Sequence, residues 1–151
     1  MFKIKMDKTF TFMVEDLAFG SLSKEEIIEL FKDGRFVSPF LERQLTIWFP
    51  ELTHVSGCKP YDHLDEHSNK YDAKNFTKNG LKFMPSGMIG TGRTYNYELC
   101  RQKIKKNKMT YIACDVVDFP QVRVKFVDGI KLLGKYKSAQ VPTKDRELLF
   151  G

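Results

Sequence analysis

Met109–Val117 and Val122–Val127 are the two clearest strands in the chain, dense in β-branched and aromatic residues and parted only by Asp118-Phe119-Pro120. They demand a sheet, and a sheet needs other elements to cover it. Upstream, the signals are helical. Ser23-Lys24-Glu25-Glu26 is a capping box opening a helix to about Lys32, with Gly34 as its C-terminal stop. Ser38 and Pro39 read as the N-cap and first position of a second helix, which places Phe40, Leu41, Leu45 and Trp48 on one broad face and ends at Pro50. Phe2–Val14 alternates loosely, as a strand or short hairpin would. Leu52–Val55, Tyr61–Leu64 and Lys70–Thr77 read as short strands, the last two joined by the polar turn Asp65–Asn69 into a hairpin. Lys78–Thr94 holds Gly80, Gly87, Gly90, Gly92 and Pro85 and reads as a long loop. Tyr95–Lys106 fits a helix with Tyr97, Cys100 and Ile104 inward. The expected class is α/β (α+β), with a mostly helical first third and a central sheet after it.

With 151 residues, a single domain is expected. No apolar run approaches the roughly 18 residues of a bilayer span, and Met1–Met6 lacks the apolar core of a signal peptide. A cytoplasmic protein with no membrane partner is the expectation. Cys58, Cys100 and Cys114 are widely spaced and odd in number, which favours buried or neutral thiols over a disulfide framework or zinc site. Twenty-five Lys and Arg against 19 Asp and Glu leave a net charge of +6, pointing mildly toward a polyanionic partner.

The chemistry concentrates between Tyr61 and Lys74. Side chains at i and i+2 share a strand face, so Asp72 and Lys74 point the same way. If Tyr61–Leu64 pairs with that strand, Asp62 lies beside Asp72. Two adjacent carboxylates repel unless a hard cation sits between them, and oxygen ligands suit Mg²⁺ or Mn²⁺. A lysine next to that cation can hold a water or neutralise a phosphate oxygen. These are the parts for phosphodiester hydrolysis; the bland alternative is a surface pair between Asp72 and Lys74. His63 and His67 are four apart, but across a strand and turn, which disfavours a zinc pair.

Asp62, Asp72 and Lys74 resemble the PD-(D/E)XK nuclease signature, with Tyr61 where proline is usual and Asp72 where glutamate is commoner. The resemblance spans roughly residues 38–127 as helix, hairpin, loop, helix and two strands. Glu42, in the first turn of the second helix, matches the acid that many members add to the metal site. What the resemblance implies is a restriction-endonuclease-like core, a mixed sheet flanked by helices. It also implies a Mg²⁺-dependent DNA endonuclease, with Mn²⁺ able to substitute. Asp62, Asp72 and Glu42 would be metal ligands and Lys74 would lie near the attacking water. The spacing is similar to that in small homodimeric type II restriction enzymes and phage resolvases, so a Holliday-junction or branched-DNA resolvase is the alternative within the superfamily.

Basic residues after the hairpin are the expected DNA contacts: Lys78, Lys82 and Arg93 on the loop, Arg101 and Lys105 on the following helix. Arg93 is a candidate for reading guanine. Two strands must be cut by a chain with one site, so a homodimer is expected, with residues 1–36 as an extension for dimer or DNA contacts. The alternative from another class is a non-catalytic nucleic-acid-binding module.

Overall fold

The apolar stretch around Ile112 becomes the middle of a sheet. The computed structural model describes residues 1–57 and 59–151; Cys58 lies outside the described residues. In chain order it contains β1 (Thr9–Met13), α1 (Lys24–Phe31), α2 (Gly34–Trp48), β2 (Thr53–His54), β3 (His63–Leu64), β4 (Lys70–Phe76), β5 (Leu81–Lys82), α3 (Tyr97–Asn107), β6 (Thr110–Asp115), β7 (Gln121–Asp128), α4 (Gly129–Lys135), β8 (Gln140–Val141) and α5 (Arg146–Phe150). Six strands form one mixed sheet in the order β1-β7-β6-β4-β3-β2, and β5 pairs with β8 in a separate ribbon. β4 and β6 run parallel, which requires a crossover connection, and α3 lies within it. The other pairings in the large sheet are antiparallel. The class is mixed α/β, as expected.

Alternation along β6 sends side chains to two separate cores. Ile112 and Cys114 pack with Val37, Leu41 and Leu45 of α2 and with Phe126. Tyr111 and Ala113 pack with Cys100 and Ile104 of α3, Leu132 and Leu133 of α4, and Phe76. Helices therefore cover both faces, and β6 is buried almost throughout. Among the described residues, no helix is long and apolar enough to cross a membrane.

The Ser23 capping box forms: the Ser23 hydroxyl accepts the Glu26 N–H at 3.1 Å, and the Glu26 carboxylate accepts the Ser23 N–H at 3.0 Å. The junction that follows differs from expectation. Gly34 is not a stop; α2 begins there, capped by Asp33, whose carboxylate accepts the Arg35 N–H at 2.9 Å. With Asp33 as cap, Ser38 lies inside the helix and donates its hydroxyl to the Gly34 carbonyl at 2.7 Å. Pro39 lies within α2 on its exposed side, in the second turn, where it removes one intrahelical hydrogen bond. The alternation expected in Phe2–Val14 forms β1, which joins the sheet as an edge strand beside β7. The stretch 78–94 is not wholly a loop. Leu81 and Lys82 pair with Val141 and Gln140, and Leu81, Phe83 and Met88 are buried.

Candidate active site

The hairpin expected from Asp65–Asn69 is present, with His63 opposite Tyr71 and Leu64 opposite Lys70. Its turn is built by Asp65, whose carboxylate accepts the His67 and Asn69 amides and the Tyr71 hydroxyl. The ladder stops at His63, one residue short of Asp62. The Asp62 N–H still reaches the Tyr71 carbonyl at 2.8 Å. The next amide along β4, that of Ala73, donates instead to the Asp62 carboxylate at 3.0 Å. A side chain thus replaces a strand where β3 and β4 diverge, and this fixes the Asp62 carboxylate against β4.

Asp72 and Lys74 share one face of β4, and the Lys74 Nζ lies 3.2 Å from Asp72 Oδ2, with side chains 28% and 15% exposed. This is not the exposed surface pair of the bland reading. Burial pushes the Asp72 carboxyl up to about 7; the Lys74 ammonium pulls the other way, and the Asp62 carboxylate, within hydrogen-bonding reach, adds to the rise. Asp62, Asp72 and Lys74 are therefore brought together as the hairpin register requires.

Glu42 approaches from α2. Burial and the nearby Asp62 charge raise its carboxyl, while His54 opposes the rise. Glu42 Oε2 lies 3.3 Å from His54 Nε2. The fully buried His63 donates its Nε2–H to the Glu42 carbonyl at 2.6 Å, and burial lowers the pKa of its imidazole, favouring the neutral form. Two histidines thus hold the helix turn that carries Glu42, one through the side chain and one through the backbone. Their spacing carries no sign of this role. Among the described residues, no three His, Cys, Asp or Glu side chains converge closely enough to enclose an ion. The close pair is Asp62 and Asp72, with Glu42 turned to His54. Such a pair suits Mg²⁺, which is commonly bound through one or two carboxylates and keeps water or phosphate oxygens in its other positions.

The expected DNA contacts are dispersed. Lys78 and Lys82 are exposed in and after the β4–β5 turn. Arg93 donates to the Ser86 carbonyl at 3.2 Å and the Ile89 carbonyl at 3.4 Å, so its guanidinium helps hold its own loop. Arg101 pairs with Glu98 at 3.6 Å, and Lys105 is exposed in the last turn of α3. Comparison of the chain with protein-family models, with curated proteins and with solved structures returns no match.

Proposed function

We propose that this chain is a Mg²⁺-dependent DNA endonuclease with a restriction-endonuclease-like core. The observation that carries the reading is the half-buried group of Asp62, Asp72 and Lys74 at the point where two strands diverge. Like charges are rarely gathered this closely for stability alone, and a buried Asp72 carboxyl held up beside a second carboxylate and a lysine fits a functional site. The order α2, β2-β3-β4, α3, β6, β7 also agrees with the helix, hairpin, loop, helix and two strands of the PD-(D/E)XK resemblance.

In this reading Asp62 and Asp72 would hold the cation, and Glu42, turned to His54, would accept from a water beside them. The cation supplies Lewis-acid stabilisation of the phosphoryl oxygens and an activated water. Lys74 stands beside Asp72 to donate to that water or to a phosphate oxygen. His63 and His54 position Glu42. The protein acts as a homodimer so that both strands are cut, and the exposed Phe19, Leu22, Leu30 and Phe36 around α1 offer apolar surface for it.

The test is cleavage of plasmid, linear duplex and four-way junction with Mg²⁺ or Mn²⁺. Lys74→Ala and Asp62→Asn are expected to lower cleavage by about 10²–10³-fold while DNA binding persists. Wild-type cleavage by both variants would sink the site assignment, and which substrate the wild type cuts separates restriction from resolution.

A further inference from the structure

The residue before Asp62 is turned out of strand alternation. His63 faces α2, so alternation would send Tyr61 to the same side, yet Tyr61 packs against the core beneath α3 and α4. Two ammonium groups stand over its ring there, Lys59 Nζ at 5.8 Å and Lys70 Nζ at 5.3 Å from the ring centre. Lys70 also donates to Asn107 Oδ1 at 3.3 Å, in the last turn of α3. Asn107 Nδ2 in turn donates to the Lys103 carbonyl at 2.9 Å, which orients the amide with its oxygen toward Lys70. Neither Lys59 nor Lys70 has a carboxylate within ion-pair distance among the described residues. Their charge is left for an external anion.

This pair of cations adjoins the carboxylate site on the same face of the sheet. In the β4–β6 register Asp72 lies beside Tyr111 and Lys74 beside Ala113, and both neighbours belong to the core under α3. Lys70 shares that face of β4 by twofold alternation. Two residues of strand advance about 6.6 Å, so Lys70 and Lys74 stand one such step to either side of Asp72. Tyr61 is the chain neighbour of Asp62 itself. Lys105 and Lys106, exposed in the last turn of α3 with Asn107, extend the basic surface away from the carboxylates.

We infer that Lys59 and Lys70, held against the Tyr61 ring, grip the phosphate backbone of the DNA strand being cut beside its scissile phosphate, so that the strand crosses the α3 side of the β3–β4 hairpin. The inference rests on the nuclease reading and adds to it two phosphate contacts and a side of the sheet. Ammonium groups on phosphates fix register and carry no sequence information, so this contact positions the strand without reading bases. Tyr61 is a positioning residue: its ring attracts both ammonium groups, and Asn107 fixes Lys70, so less side-chain freedom is lost when a phosphate arrives.

The test is binding of a short labelled duplex, followed by fluorescence anisotropy in EDTA from about 50 to 200 mM salt, so that no cleavage is involved. Lys59→Gln/Lys70→Gln is expected to lower the slope of log affinity against log salt by about 1.8, at roughly 0.9 per lost phosphate contact, and to weaken binding by tens of fold at about 0.1 M salt. Lys59→Gln alone, at an exposed position, carries half of that slope change should the double variant melt early. Lys137→Gln/Lys144→Gln removes equal charge from exposed positions flanking β8, past the C-terminal end of β4, and is expected to leave both quantities near wild type. Tyr61→Phe keeps the ring and is expected to bind as wild type. Tyr61→Leu keeps both charges and is expected to bind about 2–5-fold more weakly for each ammonium it releases. Unchanged slopes for Lys59→Gln and Lys59→Gln/Lys70→Gln, or an equal drop for the Lys137/Lys144 pair, overturn the inference, as does absence of duplex binding by the wild type. Wild-type affinity in Tyr61→Leu overturns the role of the ring. Cleavage by the wild type and its loss in Lys74→Ala decide the nuclease reading separately from any of these results.

Discussion

Replacing Asp72 with Asn is expected to stabilise the protein, by an amount that grows as the pH rises from about 4 to 7 and is largest above that. A carboxyl that ionises at about 7 in place of 3.8 resists ionisation by roughly 4 kcal/mol, each pH unit being worth about 1.4 kcal/mol. The folded state holds this proton more tightly than the unfolded chain does. Its contribution is therefore fully present below about pH 4, declines as the pH rises toward 7, and is absent above that. Asparagine keeps the shape and has no charge to bury. The substitution also removes the partner of Lys74, but that side chain is 28% exposed and its loss costs at most about 1 kcal/mol. The net gain at pH 8 is about 2–3 kcal/mol, or roughly 4–12 °C in Tm for a chain of this size.

Urea unfolding followed by the fluorescence of Trp48, the single tryptophan, which stacks on Phe12 at 4.1 Å, reads the effect directly. Curves at pH 4.5 and pH 8 without metal should show the variant ahead by about 2–3 kcal/mol at the higher pH and by less than about 1 kcal/mol at the lower. On the proposed reading Mg²⁺ would then narrow the gap, because the wild-type pair would bind it and the variant would not. At about 10 mM and a Kd near 1 mM it adds roughly 1.4 kcal/mol to the wild type. A variant no more stable than wild type at pH 8, or equally ahead at both pH values, refutes the claim that Asp72 is held against its preferred ionisation. Carboxylates that destabilise the apo fold are what a site retained for function and not for stability shows.

What could be read ahead of the structure was what is local. The Ser23 capping box, the Asp65–Asn69 turn and the strands around Ile112 each carry their signal within a few residues, and each formed. The opposition of Asp62 and Asp72 followed from the hairpin register, and the pairing of Asp72 with Lys74 from the twofold alternation of a strand. The start of α2 did not follow, because Asp33 and Ser38 are both competent N-caps and the choice depends on how the helix meets β4 through Asn75. The β5–β8 ribbon was illegible for another reason. Leu81 pairs with Val141, sixty positions away, through strands of two residues that have no periodicity to detect. The hold on Glu42 by His54 and His63 lies between these cases: alternation along a strand turns His63 away from Asp62, but what it meets there depends on the docking of α2. Charge was the least legible property. Arg93 looked free in the sequence and is engaged by its own loop, whereas Lys78 and Lys82 pair with no carboxylate among the described residues and line a cleft.

Three further substitutions test the frame that carries the site. Ser23→Ala removes the cap of α1 and should cost about 1 kcal/mol, a drop of roughly 2–4 °C in thermal midpoint; a change smaller than the error of the melt would mean that α1 is held by packing alone. Asp115 and Glu147 present the sharper contrast, because both accept from Arg123 Nη2, at 2.9 and 2.8 Å. Asp115 also accepts from Arg146 Nε at 2.9 Å and from the Val117 amide at 3.1 Å, tying the end of β6 to α5. It is 1% exposed, whereas the Glu147 side chain is 69% exposed. Distance alone ranks the two pairs as equals; desolvation does not. Asp115→Asn leaves two guanidinium groups facing an amide inside the protein and should cost about 3–5 kcal/mol. Glu147→Ala gives its guanidinium back to water and should cost between about 0 and 1 kcal/mol. Chemical denaturation of both variants at pH 7 decides the matter: comparable losses would mean that burial does not set the strength of this network, and that α5 is held to the sheet by Leu149 and Phe150 instead.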